Sequence, residues 1–159
     1  MQKITPFLWF NGEAEEAANF YVSIFKNSKV LSVSRYGEAG PPGLKGKAMS
    51  VTFMLDGQEI MALNGGPAYS PTPAFSLFVN CETQKEVDGL WERLSADGGE
   101  ESRCGWLKDK FGLSWQIIPK ALPELLSHKN SAKADAAMQA MLTMNKIDIE
   151  GLRRAAAAA

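Results

Sequence analysis

At 159 residues the chain can build one sizeable core, or two small half-domains sharing one; it is 45% hydrophobic and 22% charged, with a formal net charge of −1. No basic surplus marks a nucleic-acid or anionic-membrane partner, no apolar run approaches the length of a membrane span, and the Met1-Gln-Lys-Ile start lacks a signal-peptide core. Two cysteines, Cys81 and Cys104, cannot frame a disulfide-stapled secreted domain, so a reduced, cytoplasmic protein is expected, and the single histidine, His128, excludes metal centres that need two.

Ile4 to Phe10 is an apolar run of strand length closed by Asn11-Gly12. Glu13 to Phe25 switches to helical period, with Ala14, Ala17, Ala18, Tyr21, Val22 and Phe25 on one face and acidic residues in the first turn, where the helix dipole favours them. Val30 to Tyr36 reads as a strand, and Gly37 to Gly46, with four glycines and two prolines, as a loop. Ala48 to Leu55 and Gln58 to Asn64 are strands joined by Asp56-Gly57, a strong hairpin signal. Gly65 to Pro73 carries two glycines and three prolines and reads as a linker.

The second half repeats the order. Phe75 to Asn80 is a strand, Thr83 with Glu86 forms a capping box for a helix to about Ala96, and Asp97-Gly98-Gly99 ends that helix. Further strands follow up to Ile118, the last two being Gly105 to Lys108 and Leu113 to Ile118, joined by the tight turn Asp109-Lys-Phe-Gly112 and closed by Pro119. Gln116 stands among Trp115, Ile117 and Ile118; such a polar residue is either satisfied in the core or aimed into a cavity. Sliding the halves by 69 positions sets Asn11 on Asn80, and Ala18, Tyr21, Val22 and Phe25 on Val87, Leu90, Trp91 and Leu94. A duplicated βαβββ module is the expectation. From Lys120 the chain is alanine-rich and helical, and Met138, Met141, Leu142 and Ile149 make an apolar stripe that must cover something, the chain's own sheet or a partner. His128 falls in a polar helix break and is expected at the surface.

The expected architecture is therefore α+β, with a first module over 1–66, a linker over 67–73, a second module over 74–119 and a C-terminal helical extension over 120–159. The segments Thr5-Pro-Phe-Leu-Trp-Phe-Asn-Gly12, Ala17-Ala-Asn-Phe-Tyr21, Leu63-Asn-Gly-Gly-Pro67, Val79-Asn-Cys-Glu-Thr83 and Cys104-Gly-Trp-Leu-Lys-Asp-Lys-Phe-Gly-Leu-Ser-Trp-Gln-Ile-Ile118 carry a resemblance. The chain resembles the vicinal-oxygen-chelate superfamily of glyoxalase I, bleomycin-resistance proteins and extradiol dioxygenases. It is most similar to the PhnB-like branch called 3-demethylubiquinone-9 3-methyltransferase. The resemblance spans about residues 3 to 119, with the last motif the most specific, and the segment from Ala137 to Ile149 is similar to that branch as well.

Enzymes of this superfamily hold one divalent metal per cleft, so the resemblance implies ligands at Thr5, Asn64, Ala74 or Ser76, and Gln116. None of these is a histidine or carboxylate, and neutral oxygens alone hold a divalent transition metal poorly. No tightly bound metal and no other cofactor is expected. Nor does Asn11-Gly-Glu-Ala14 carry the glycine-rich turn of a Rossmann-type adenosylmethionine site. On strand alternation Thr5, Phe7 and Trp9 share one face and Pro6, Leu8 and Phe10 the other. Trp9, Phe75, Trp106 and Trp115 are then aromatic walls or core. Asn64, Ser76, Cys104 and Gln116 are the polar handles of a small-molecule pocket. Cys104 reads as an activated thiolate or, more ordinarily, a buried inert thiol. The expected function is binding of a small aromatic or amphipathic molecule by a homodimer. The alternative is a lyase, isomerase or dioxygenase recruiting a weakly held metal through Gln116, and methyl transfer, carried by the family's name, is a remote third.

Overall fold

The computed structural model describes residues 2–159. They divide into two compact units that meet at Pro71 and Thr72. Among the described residues no helix is long and apolar enough to cross a membrane.

The first unit is one sheet and one helix: β1 (Phe7–Phe10), α1 (Ala14–Ile24), β2 (Lys29–Arg35), β3 (Ala48–Leu55) and β4 (Gln58–Asn64), in the order β1-β4-β3-β2. β1 runs parallel to β4, and the other pairs are antiparallel. The first strand is shorter than the apolar run that announced it. Pro6 has no N–H to give a ladder, although its carbonyl still accepts from Met61 N (2.9 Å), and Ile4 is left 83% exposed. The turn between β3 and β4 forms as Asp56-Gly57 demands. Both residues take positive φ (45° and 82°), the conformation that matches strand twist in a two-residue hairpin.

Burial alternates along every inner strand. Leu8, Phe10, Val51, Phe53, Leu55, Ile60 and Ala62 are buried with Ala14, Ala17, Ala18 and Tyr21 of α1. The three alanines keep the helix close to the sheet, and Tyr21 stands 6.3 Å from Phe53, ring centre to ring centre. Phe7, Trp9, Met61 and Leu63 point the other way and stay partly accessible, so each sheet has a helix-covered face and an open one.

The second unit repeats the plan with β5 (Ser76–Cys81), α2 (Gln84–Ser95), β6 (Glu100–Glu101), β7 (Trp106–Lys108) and β8 (Ser114–Pro119), in the order β5-β8-β7-β6. Two α+β modules of one strand order are thus present. The helices, however, correspond by 70 positions rather than 69: Ala17 and Tyr21, both fully buried, match Val87 and Trp91. Val22 and Phe25 are only partly buried. Thr83 caps α2 by accepting from Glu86 N (3.2 Å), and the Glu86 carboxylate reaches back to Glu82 N (2.8 Å), one residue beyond the usual capping box.

Three helices follow: α3 (Ala121–Leu126), α4 (Ser131–Leu142) and α5 (Ile149–Ala157). They belong to the second unit and make a core of their own from Ile118, Leu122, Ile147 and Leu152, with Met141, Met144, Leu125, Leu126 and Ala140 packed against it. Of the apolar stripe read in the sequence, Met141 and Ile149 go inward, while Met138 and Leu142 stay 41% and 56% exposed. His128 is exposed, its Nδ1 accepting from Asn130 N (3.0 Å).

The join is hydrogen-bonded backbone. Cys104 N and Gly105 N donate to the carbonyls of Met144 and Asn145 (both 2.8 Å). The Gln84 side chain donates to Ile147 O (2.9 Å) and accepts from Ile149 N (2.8 Å). Gly105 has φ +84°, and a Cβ there would stand 2.6 Å from Ile118 Cδ1 and 3.1 Å from Ile117 O, so the crossing requires glycine.

Candidate functional site

Gln116 lies on the open face of the second sheet. Its in-register neighbours are Phe78 on β5 and Trp106 on β7, so an aromatic, an amide and an aromatic form one row across three strands. Gln116 Nε2 donates to Ser76 Oγ (3.0 Å) on the diagonal. The next row is Ser76, Ser114 and Lys108, with Lys108 paired to Glu100 at 3.2 Å. On the other side Ile118 is closed over by Leu122, Ile147 and Leu152, so the C-terminal helices wall one end of this face. Phe78 is 52% exposed, and a cavity of about 190 Å³ opens beside Trp106, Ser114 and Lys108, bounded further by Glu100, Ser102 and Pro73.

Ser76, Trp106 and Gln116 therefore come together, and Phe78, absent from the expected set, joins them. Only the strand register shows Phe78, because the sequence marks it merely as one apolar strand residue among several.

The other expected residues go elsewhere. Trp115 is not a pocket wall: one residue from Gln116, it faces the helix side, is 1% exposed, and its Nε1 donates to Asp109 Oδ2 (2.8 Å). Asn64 is also turned inward, level with the buried Phe10 and not with Trp9. Its Oδ1 accepts from Gly12 N (3.1 Å) and Ala14 N (2.9 Å), and its Nδ2 donates to Ala48 O (3.0 Å), so it caps the start of α1. Beside Trp9 on the open face of the first sheet stands Leu63. Trp9 itself is half-buried against its own loop, donating to Gly66 O (2.9 Å) and meeting Tyr69 edge-on at 5.0 Å. Thr5 precedes β1 and Phe75 precedes β5, the latter 47% exposed. Cys104 lies outside the strands at φ +58°, its N–H held by Met144.

The larger cavity, about 450 Å³, lies in the first unit where Asn11, Glu15, Arg35, Tyr36, Lys47 and Asn64 meet. Its polar groups are largely occupied: Arg35 grips Glu15 with both terminal nitrogens (2.9 and 3.3 Å), Tyr36 Oη donates to Asn64 O (3.0 Å), and Asn64 caps the helix.

A divalent metal does not fit the donors present. Of the four positions implied by the resemblance, the second sheet offers Gln116 and Ser76, already bonded to each other and both uncharged, and Asn64 is committed to backbone. Among the described residues no group of three or more histidines, cysteines or carboxylates gathers anywhere. Cys81 is poorly suited to act as a nucleophile. Burial, reinforced by the nearby Glu86 charge, pushes its thiol up to about 12, so no thiolate is present at neutral pH.

The family model described as 3-demethylubiquinone-9 3-methyltransferase matches residues 2–118. No curated protein matches the chain. Among solved structures, the PhnB protein of Bacillus cereus is 43% identical over 74% of this chain and 99% of its own, with a TM-score of 0.68. Protein PA1353 of Pseudomonas aeruginosa is 23% identical over 75% and 98% (TM-score 0.63). The fosfomycin resistance protein FosX of Listeria monocytogenes, solved with Mn(II) and sulfate, is 18% identical over 72% and 90% (TM-score 0.52); these two likenesses are of fold. The chain is a PhnB-like member of the 3-demethylubiquinone-9 3-methyltransferase family and has the vicinal-oxygen-chelate fold.

Proposed function

We propose that this protein binds a small aromatic or amphipathic molecule on the open face of its second sheet, without a tightly held metal. The observation that carries the reading is the row Phe78, Gln116, Trp106: two accessible aromatic side chains flanking one polar group on a rigid strand. That is the make-up of small-molecule sites, apolar walls with a few placed polar atoms. Trp9 on the first sheet's open face supplies a comparable aromatic surface. Methyl transfer, despite the family's name, finds no support. The N–H groups of Gly12 and Ala14 ahead of α1, where a Rossmann-type site would present donors, are already taken by Asn64. A metal-assisted lyase, isomerase or dioxygenase would need charged donors that Gln116 and its neighbours do not supply.

We further propose that the chain works as a cytoplasmic homodimer. Phe7 and Phe78, on the open faces of the two sheets, are 55% and 52% exposed, and a second copy would cover such surface. Both cysteines are free thiols, which suits a reducing compartment. Light scattering of the purified protein should give twice the chain mass; a monomer at micromolar concentration overturns the dimer. For the site, aromatic probes that carry a hydrogen-bonding group should quench tryptophan fluorescence, and Gln116→Ala should weaken their binding about tenfold, or about 1.4 kcal/mol. Unchanged binding sinks the assignment. A thermal-shift series across Mn, Fe, Co, Ni and Zn should show no selective rise, and a clear one would bring the enzyme reading forward.

A further inference from the structure

Resting on that reading, we infer the chemical class of the ligand: a neutral, planar aromatic amide or lactam, carrying a hydrogen-bond donor and acceptor side by side. The argument starts from what the Gln116–Ser76 bond leaves over. Gln116 Nε2 spends one of its two hydrogens on Ser76 Oγ. Gln116 Oε1, the second amide hydrogen and the Ser76 hydroxyl hydrogen have no partner among the described residues. One acceptor and two donors are therefore held together on one patch of sheet.

The Ser76 bond also fixes the Gln116 amide. Without it the side chain would lose several torsions on binding; with it, less ordering cost falls on the ligand. On either side in the row stand Phe78 and Trp106, on strands about 5 Å apart, so a flat ring that meets the amide is bordered by aromatic carbon. A ligand group that both donates and accepts satisfies the leftover atoms. An aromatic hydrocarbon would cover them without replacing their water, which costs binding energy.

Charge separates amides from acids. An aromatic carboxylate offers acceptors only, and needs a cation to offset its desolvation. The cation of the adjoining row, Lys108, is paired with Glu100 at 3.2 Å, so the patch has no surplus positive charge to give. A neutral amide needs none. Both halves of its polar edge find a partner, and its ring finds apolar walls.

Calorimetry with matched probes tests this: quinolin-2(1H)-one, its N-methyl derivative, quinoline-2-carboxylate and naphthalene, each titrated into the full chain. The lactam should bind at least tenfold more tightly than the N-methyl form, which has the same ring and carbonyl but no donor, and than the carboxylate. In Ser76→Ala and Gln116→Met that ratio should fall to about one, with naphthalene binding unchanged or tighter. Circular dichroism and melting temperature check that both variants fold; both residues are partly exposed and neither belongs to the buried core. Equal binding of the lactam and its N-methyl form by the unaltered protein overturns the amide inference and leaves the aromatic site standing. Preference for the carboxylate overturns it in favour of an acid ligand. Failure of all four probes to bind at millimolar concentration removes the site and, with it, the proposed function.

Discussion

The two sheets share one strand order, yet their second hairpins turn on aspartates that do opposite things. Asp56 in the first sheet is exposed and contributes its backbone, a positive φ that Gly57 continues. Asp109 in the second is 1% exposed and contributes its carboxylate: Oδ1 accepts from Phe111 N (2.8 Å) and Leu113 N (3.1 Å), and Oδ2 from Trp115 Nε1 (2.8 Å). One turn is made by local conformation and the other by a buried charge enclosed in donors. The difference reaches the site. By fixing Trp115 on the helix side, Asp109 fixes its strand neighbour Gln116 on the open face.

Asp109→Ala should therefore have the largest effect. It removes the acceptor that these three donors share and is expected to cost about 3–5 kcal/mol, read as a lower urea midpoint. A loss under about 1 kcal/mol would show that the two turns do not differ in kind. Next, Gly105→Ala should cost about 2 kcal/mol, since it forces an L-residue into positive φ against Ile118. It should also speed amide hydrogen exchange at Cys104 and Gly105, whose N–H groups hold residues 144 and 145, while exchange in the first sheet stays as it was. Asp56→Ala, a strain at one exposed turn residue, should cost only about 1 kcal/mol, and Asp56→Asn almost nothing.

The smallest effect in neutral buffer belongs to Cys81, a thiol in the second sheet's own ladder. With its folded-state value raised from 9.0 to about 12, it stays protonated in the fold while the unfolded chain ionises. Its contribution is complete below pH 9 and lost as pH rises from 9 towards 12. The fall in stability over that interval should be shallower in Cys81→Ala. At pH 8 a disulfide reagent should label Cys104 well before Cys81.

Local signals in the sequence translated directly into structure. Asp56-Gly57 makes its hairpin and Thr83 with Glu86 its cap because each depends on residues within four positions. Placement on a sheet face was harder to read. Trp115 and Asn64 were each one position from an open-face residue, Gln116 and Leu63, and a single step along a strand reverses the face. Nothing nearby in the chain says which parity wins. The backbone of α1, fifty residues before Asn64, decides it in one case, and a carboxylate at a turn decides it in the other. Asp109 read simply as a turn residue, because a buried acid announces itself only through the donors that fold around it.

The strap at Cys104 and Gly105 has a practical consequence. The family match ends at 118, and a protein engineer trimming the chain to that boundary would cut it inside β8, one residue short of its end. The cut would strip two acceptors from the Cys104-Gly105 crossing, leave the Gln84 carboxamide only its bond to Asp88, and leave Ile118 as a greasy stub in water. Such a fragment should come out of expression as inclusion bodies. The border drawn by homology is not a border drawn by folding, and the last forty residues are part of the machine that keeps the second sheet in shape.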